Sequence, residues 1–172
     1  MSEQNNANTW LKVENHFKTA LSGDLQKNAL DYLAYLKASG ISITSKFSPE
    51  PLVIGDTPDG KFYSYEFGTD NGLVCFLVIQ PCEFGWTIDI ASHNEHQSFS
   101  ADEKVKEFAW EHTRICQHFR TNGKECGCGN QPGSRIILFG KEIFNSCNGN
   151  VEINNPHGET LALMKRLTDV WK

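Results

Sequence analysis

The segment Leu73–Ile79 constrains the fold most strongly, because every one of its residues is apolar. A short run of this kind is typical of a strand that is covered on both faces and lies inside a sheet. Just before it, Thr69-Asp70-Asn71-Gly72 has the composition of a hairpin turn, and the aromatic-rich segment Phe62–Phe67 is typical of a strand. We therefore expect Leu73–Ile79 to be a central strand that pairs with Phe62–Phe67.

Other segments with strand character lie on both sides of this pair. Leu52–Ile54 falls between two turn-rich stretches, and Trp86–Ile90 follows a turn at Pro81–Gly85. Arg135–Phe139 and Val151–Ile153 are later candidates. The short connections in the middle of the chain predict an antiparallel meander.

Two helices are expected before the strands. Trp10, Val13 and Phe17 recur at helical spacing within residues 9–21, and a second apolar stripe follows within residues 24–39. The chain therefore begins with a helical pair.

Two more helices are expected later in the chain. Ser100-Ala101-Asp102-Glu103 matches a capping box, which predicts a central helix whose apolar stripe continues to Phe119. The last helix is expected to have Asn155 as its N-cap and Pro156 as its first residue.

These elements predict an α+β fold, in which a single antiparallel β-sheet (a meander) is packed by N-terminal, central and C-terminal helices. Residues 1–8 are polar and are expected to form a disordered tail, whereas residues 9–172 are expected to form a single domain. A chain of 172 residues can bury a hydrophobic core without a metal or a disulfide.

Charge and hydropathy argue against two classes of partner. A formal net charge of -5 argues against nucleic-acid binding, which normally depends on a basic surface. The sequence has no apolar run long enough to cross a bilayer, and its polar start lacks the features of a secretory signal. We therefore expect a cytoplasmic protein without membrane contact, whose thiols are free, metal-bound or catalytic.

Four of the six cysteines form what we call the cysteine cluster, namely Cys116, Cys126, Cys128 and Cys147. Four thiolates brought together would bind zinc in a tetrahedral arrangement. Paired zinc ligands are usually separated by about two to four residues, however, and the cluster has no second close pair. Free structural thiols and redox or disulfide chemistry are therefore the alternatives.

A second candidate site lies in the predicted sheet and the central helix. Tyr63, Tyr65, Trp86 and Trp110 offer aromatic surface with a few polar groups, which suits a pocket for a small ligand. Glu66 adds a carboxylate, although strand alternation places it on the opposite face from Tyr63 and Tyr65. Such aromatic residues also commonly build the core between a sheet and its helices, so both interpretations stay open.

The sequence supports a binding protein more strongly than an enzyme. No nucleophile–base or acid–base pair can be assembled, so we expect a module that binds a small molecule or a protein partner without catalytic chemistry, and enzymatic activity stays undecided. The alternative is a zinc-binding or thiol-redox protein that uses the cysteine cluster. A structural or interaction role is a third possibility, through homodimerisation by an edge strand or by the first helix with Trp10, Val13 and Phe17 as exposed anchors, but the sequence leaves the oligomeric state open.

The zinc hypothesis predicts about one zinc ion per chain in protein purified without chelator or metal-affinity resin. Replacing Cys126 and Cys128 by serine should then lower the free energy of unfolding, because metal-binding energy becomes folding energy. Elemental mass spectrometry combined with a free-thiol count under denaturation tests this. A metal-free protein with six free thiols would contradict the hypothesis.

Overall fold

The computed structural model describes residues 3–44, 52–57, 60–80, 85–91, 101–115, 135–144 and 146–172. Within these ranges the helices are α1 (Glu3–Ala20), α2 (Gly23–Ala38), α3 (Glu103–Glu111) and α4 (Gly158–Trp171). The strands are β1 (Ser42–Ile43), β2 (Leu52–Thr57), β3 (Gly60–Thr69), β4 (Gly72–Ile79), β5 (Trp86–Ile90), β6 (Thr113–Ile115), β7 (Arg135–Leu138), β8 (Lys141–Phe144) and β9 (Ser146–Asn154). No helix in these ranges is long and apolar enough to span a membrane.

The main sheet is antiparallel throughout the described ranges and has the order β1-β3-β4-β5-β9-β6, with β2 pairing along the same edge of β3 as β1. The strands β3, β4 and β5 form the predicted meander, and the predicted hairpin is confirmed by the pairing of Thr69 with Gly72. Helices flank this sheet, so the α+β prediction is confirmed. Strand β4 lies in the interior of the sheet, as its sequence predicts.

One face of the sheet is packed against helices. The ring of Trp86 in β5 is fully buried and lies 6.5 Å from Phe17 of α1 and 6.2 Å from Tyr32 of α2, measured between ring centroids. The hydroxyl groups of Tyr32 and Thr168 are 2.6 Å apart, which connects α2 to α4. Burial of these large rings supplies the main driving force for packing the three helices.

The buried side of α1 answers one question that the sequence leaves open. Trp10, Val13 and Phe17 are buried in the same core as the sheet residues. Their apolar stripe therefore packs inside the domain, and the hypothesis that it is an exposed dimerisation surface is wrong. The helix also begins at Glu3 and not at residue 9, so residues 3–8 of the expected tail are helical.

The opposite face of the sheet, which we call the open face, differs from the sequence prediction. Alternation along β4 turns Phe76 and Val78 away from the helices, and both are only half-buried. The expectation that β4 is covered on both faces is therefore wrong. Some residues of this apolar run therefore lie in the helix-packed core, whereas Phe76 and Val78 lie on the open face.

The central helix is shorter than predicted. Its N-cap is Asp102, whose carboxylate accepts a hydrogen bond from the backbone amide of Val105, and Ser100 lies outside the described residues. The helix ends at Glu111, and the chain continues as β6, which pairs with β9. Pairing with a distant strand therefore overrides the helical spacing that extends to Phe119 in the sequence.

The start of the C-terminal helix also differs from prediction. The N-cap of α4 is His157, two residues after the predicted cap. Asn155 has a positive φ of 49°, and its side-chain Oδ1 accepts the backbone amide of Trp86 at 2.8 Å. The Asn155 side chain therefore joins the end of β9 to the start of β5 and is not available to cap a helix.

The strands β7 and β8 form a separate two-stranded hairpin. Its turn is anchored to the domain, because the Trp110 Nε1 donates a hydrogen bond to the Leu138 carbonyl at 2.7 Å and Phe139 packs against Trp171. Phe139 and Gly140 both have positive φ, of 48° and 79°, which is typical of a two-residue hairpin turn. The strand predicted at Arg135 is confirmed, but it lies outside the main sheet.

The junction between β5 and β9 should be sensitive to a single methyl group. Gly85 has a φ of +76°, and a Cβ there would collide with the carboxamide of Asn155. We expect Gly85→Ala to lower the free energy of unfolding by roughly 3 kcal/mol, since backbone strain adds to the collision. Denaturant unfolding followed by circular dichroism measures this loss.

Gly140→Ala is the matched control, because Gly140 has a φ of +79° but no heavy atom within 4 Å of a Cβ. This variant carries the backbone strain alone, and we expect a loss of about 1 kcal/mol. Equal losses in the two variants would show that the contact between Gly85 and Asn155 does not matter for stability.

Candidate functional site

The strand registers bring charged residues together on the open face. Glu66 is paired with Phe76, Phe76 with Asp89, and Asp89 with Glu152, so these four side chains form a row across β3, β4, β5 and β9. Directly paired residues on antiparallel strands have neighbouring side chains. Arg114 of the edge strand β6 extends the row beyond Glu152.

A pocket with a volume of about 300 Å³ lies over this part of the open face. Three of its lining side chains, which we call the floor, are apolar, namely Phe62, Phe76 and Val78, and the other lining side chains are polar or charged. The lining residues are Phe62, Ser64, Phe76, Val78, Gln80, Thr87, Asp89, Arg114 and Glu152. An apolar floor with a few convergent polar groups is typical of a small-ligand site.

The charged wall of the pocket consists of two carboxylates and one guanidinium. Arg114 Nη1 lies 3.2 Å from Glu152 Oε2 and 3.9 Å from Asp89 Oδ2. The Arg114 side chain is 53% exposed, whereas the Asp89 side chain is only 14% exposed. Arg114 therefore pairs more closely with Glu152, and water screens its effect on Asp89.

Asp89 is the most perturbed group in the pocket. Burial, together with the negative charge of Glu152, raises the pKa of its carboxyl group from 3.8 to about 6. Arg114 and a hydrogen bond from the Asn150 side chain act to lower this pKa. Its Oδ1 is buried and accepts no hydrogen bond in the part of the chain that the structure describes. A buried carboxylate oxygen without a donor is unfavourable, and a ligand could supply that donor.

Neighbouring polar groups on the same wall are already hydrogen-bonded to one another. Gln80 Nε2 donates to the Thr87 hydroxyl at 2.8 Å, and that hydroxyl donates to Asn154 Oδ1 at 2.5 Å. The single proton of Thr87 is therefore used within the protein. These hydrogen bonds hold Gln80 and Thr87 in place on the polar side of the pocket. They leave Asp89 Oδ1 without a donor among the described residues.

The aromatic residues predicted to bind a ligand are placed mostly on the helix-packed face. Tyr65 and Trp86 are buried in the core, and the Tyr65 hydroxyl is hydrogen-bonded to His16 of α1. Tyr63 is half-buried on the same face, and its ring lies 4.8 Å from the His16 ring. The helices therefore pack against these rings. This agrees with the interpretation that such aromatic residues build the core between the sheet and its helices.

The other two predicted ligand residues are on separate surfaces. Glu66 lies on the open face, as alternation predicts, but it does not line the pocket. Trp110 of α3 is half-buried and holds the β7–β8 turn, with Lys141 Nζ 4.7 Å from its ring centroid. The five predicted residues thus do not meet in one site, and none of them lines the pocket on the open face.

The cysteine cluster lies largely outside the described residues. Cys116, Cys126 and Cys128 fall in undescribed segments, and Cys147 lies in β9 and not in the predicted turn. Cys75 is buried in the core with a free thiol. Among the described side chains, no three His, Cys, Asp or Glu residues are grouped to hold a metal ion. Zinc binding by the cluster stays a prediction.

Sequence reasoning missed Asp89, Glu152 and Arg114. Each is a charged residue within a strand, and their proximity depends on the pairing of β5, β9 and β6. A partial signal is present, because Asp89 interrupts the apolar residues of β5 and Glu152 lies between Val151 and Ile153. A charged residue between two apolar residues of a strand indicates that one face of the sheet is exposed to solvent.

Comparisons of this chain with protein-family models, with curated proteins and with solved structures found no match. Function is therefore inferred from the pocket and from its chemistry.

The raised pKa of Asp89 predicts a measurable dependence of stability on pH. The folded state holds the Asp89 proton more tightly than the unfolded chain, so this residue lowers stability as the pH rises from about 4 to about 6. We expect Asp89→Asn to raise the free energy of unfolding at pH 7 by about 2 to 3 kcal/mol, because the pKa is raised by about two units. Below about pH 4 the gain should disappear.

Denaturant unfolding across this pH range measures the effect. Asp70→Asn is the control, since Asp70 is an exposed carboxylate in the β3–β4 turn, away from the pocket. An equal gain in stability at pH 4 and pH 7 for Asp89→Asn would contradict the assignment of the perturbed carboxyl group.

Proposed function

We propose that this protein binds a small ligand in the pocket on the open face of its sheet. The ligand places an apolar part on the floor formed by Phe62, Phe76 and Val78 and donates a hydrogen bond to Asp89. The observation that carries the proposal is the buried Asp89 Oδ1, which lacks a donor within the described chain and belongs to the lining of the pocket.

The size and the lining of the pocket support this proposal. A volume of about 300 Å³ suits a compact molecule, and the half-buried Phe76 and Val78 offer apolar area that a ligand could cover. Each square ångström of apolar surface removed from water contributes roughly 25 cal/mol, so covering the floor would give useful affinity. The pocket lies on strands and not on loops, which favours a fixed geometry.

The energetics of Asp89 also support it. A desolvated carboxylate with an unmatched oxygen is costly for the folded protein, as its raised pKa indicates. Perturbed groups of this kind in a cleft are candidates for functional sites. A ligand donor at Oδ1 would offset part of that cost and would be worth about 1.5 to 3 kcal/mol as a hydrogen bond to a charged group.

A fragment screen by two-dimensional amide NMR tests the proposal on the full chain. We expect binding fragments to shift amide resonances of β4 and β5 around Val78 and Thr87. The variant Val78→Trp should fill the pocket and weaken those fragments by at least about tenfold.

Val53→Trp is the matched control, because Val53 is 53% exposed and pairs with Tyr63 on the other face of the sheet. It should leave fragment binding unchanged. A screen in which no fragment shifts the β4 and β5 resonances of the unaltered chain, or in which both tryptophan variants bind as the unaltered chain does, would refute the proposal.

A further inference from the structure

We infer that the ligand of the open-face pocket is a cation, a protonated amine or an amidine carried on a single flat apolar ring. This inference rests on the proposed ligand-binding function and narrows it to one chemical class. It follows from the charges of the pocket wall, from the direction of its hydrogen bonds and from the position of Phe76 beside Asp89.

The charges of the wall do not balance. Asp89 and Glu152 carry two negative charges when both are ionised, and Arg114 carries the only positive charge among the residues that line the pocket. Arg114 lies 0.7 Å closer to Glu152 than to Asp89, as the separations of 3.2 and 3.9 Å show, and it is half exposed. A positive group on the ligand side of Asp89 would complete the pairing of a largely buried charge.

The hydrogen bonds of the wall require a donor from the ligand. Asp89 Oδ1 is an acceptor without a donor within the described chain, and the proton of Thr87 is already directed to Asn154. An ammonium or amidinium group has several donors and no acceptor, so it matches a carboxylate oxygen in charge and in direction. An anionic ligand would face two carboxylates across the same space.

The apolar floor selects the rest of the ligand. Phe76 is paired directly with Asp89 across β4 and β5, and directly paired residues have neighbouring side chains. Phe62 and Val78 extend the floor away from the charged wall, and a volume of about 300 Å³ leaves room for one ring. A cation at Asp89 would also lie near an aromatic face, which attracts positive charge.

Four probes of nearly equal shape test the charge requirement in the unaltered chain: benzylamine, benzyl alcohol, toluene and benzoate. Their dissociation constants can be measured by NMR titration at pH 7.5, where Asp89 is ionised. We expect benzylamine to bind at least tenfold more tightly than benzyl alcohol, toluene to bind more weakly still, and benzoate to bind least. Since this series uses the unaltered chain, it does not depend on whether any variant folds.

Asp89→Asn supplies the second arm. It should remove the preference for benzylamine over benzyl alcohol by weakening benzylamine at least about tenfold more than the alcohol, because a carboxamide oxygen can still accept from a hydroxyl but carries no charge, whereas Asp70→Asn should preserve the preference. Equal affinity for benzylamine and benzyl alcohol in the unaltered chain would overturn the cation assignment while the ligand-binding function stands. Tightest binding of benzoate would overturn it in favour of an anion held by Arg114. Failure of all four probes would also overturn it, and the broad fragment screen decides separately whether the pocket binds anything.

Discussion

The burial of Trp86 is the interaction on which the rest of the structure depends. This residue begins β5 in the interior of the sheet, and its ring is covered by Phe17 of α1 and by Tyr32 of α2. Tyr32 in turn reaches Thr168 of α4 through its hydroxyl group. The adjacent helices α1 and α2 and the distant C-terminal helix α4 are therefore positioned around one strand, and all three lie on one side of the sheet.

This one-sided packing determines what the other side of β5 can be. Because side chains alternate along a strand, fixing Trp86, Ile88 and Ile90 in the core forces Thr87 and Asp89 onto the open face. A shift of register by one residue would place a carboxylate in the core, at a large cost in free energy. The packing of these core residues thus also fixes the position of Asp89, and a fixed position suits the proposed binding site.

The sequence predicted those parts of the fold whose signals are contiguous. The turn at Asp70 and the apolar run of β4 carry their own information, so the meander is predicted correctly. The end of α3 is not, because residues after Glu111 pair with β9, whose position depends on the whole sheet. The same limit applies to the candidate site, since Asp89 and Glu152 become neighbours only through the pairing of β5 with β9. Tyr65 and Trp86 are buried against helices that lie far from them in the sequence, so the sequence alone does not show which aromatic residues belong to the core.

The carboxylate of Asp89 on the open face lowers the stability of the folded protein. The same carboxylate is the group to which the proposed ligand binds. Desolvation raises the pKa of Asp89 because the folded protein gives its carboxylate too few partners. A neutral residue at this position would relieve the cost, as would apolar residues in place of the whole charged wall. A chain that keeps the charge gains nothing for its own folding from Asp89, since the nearby Arg114 pairs more closely with Glu152. Under the proposed function, the charge gains a physical use when another molecule completes its hydrogen bonds, and this asymmetry supports the proposal that the pocket is a binding site.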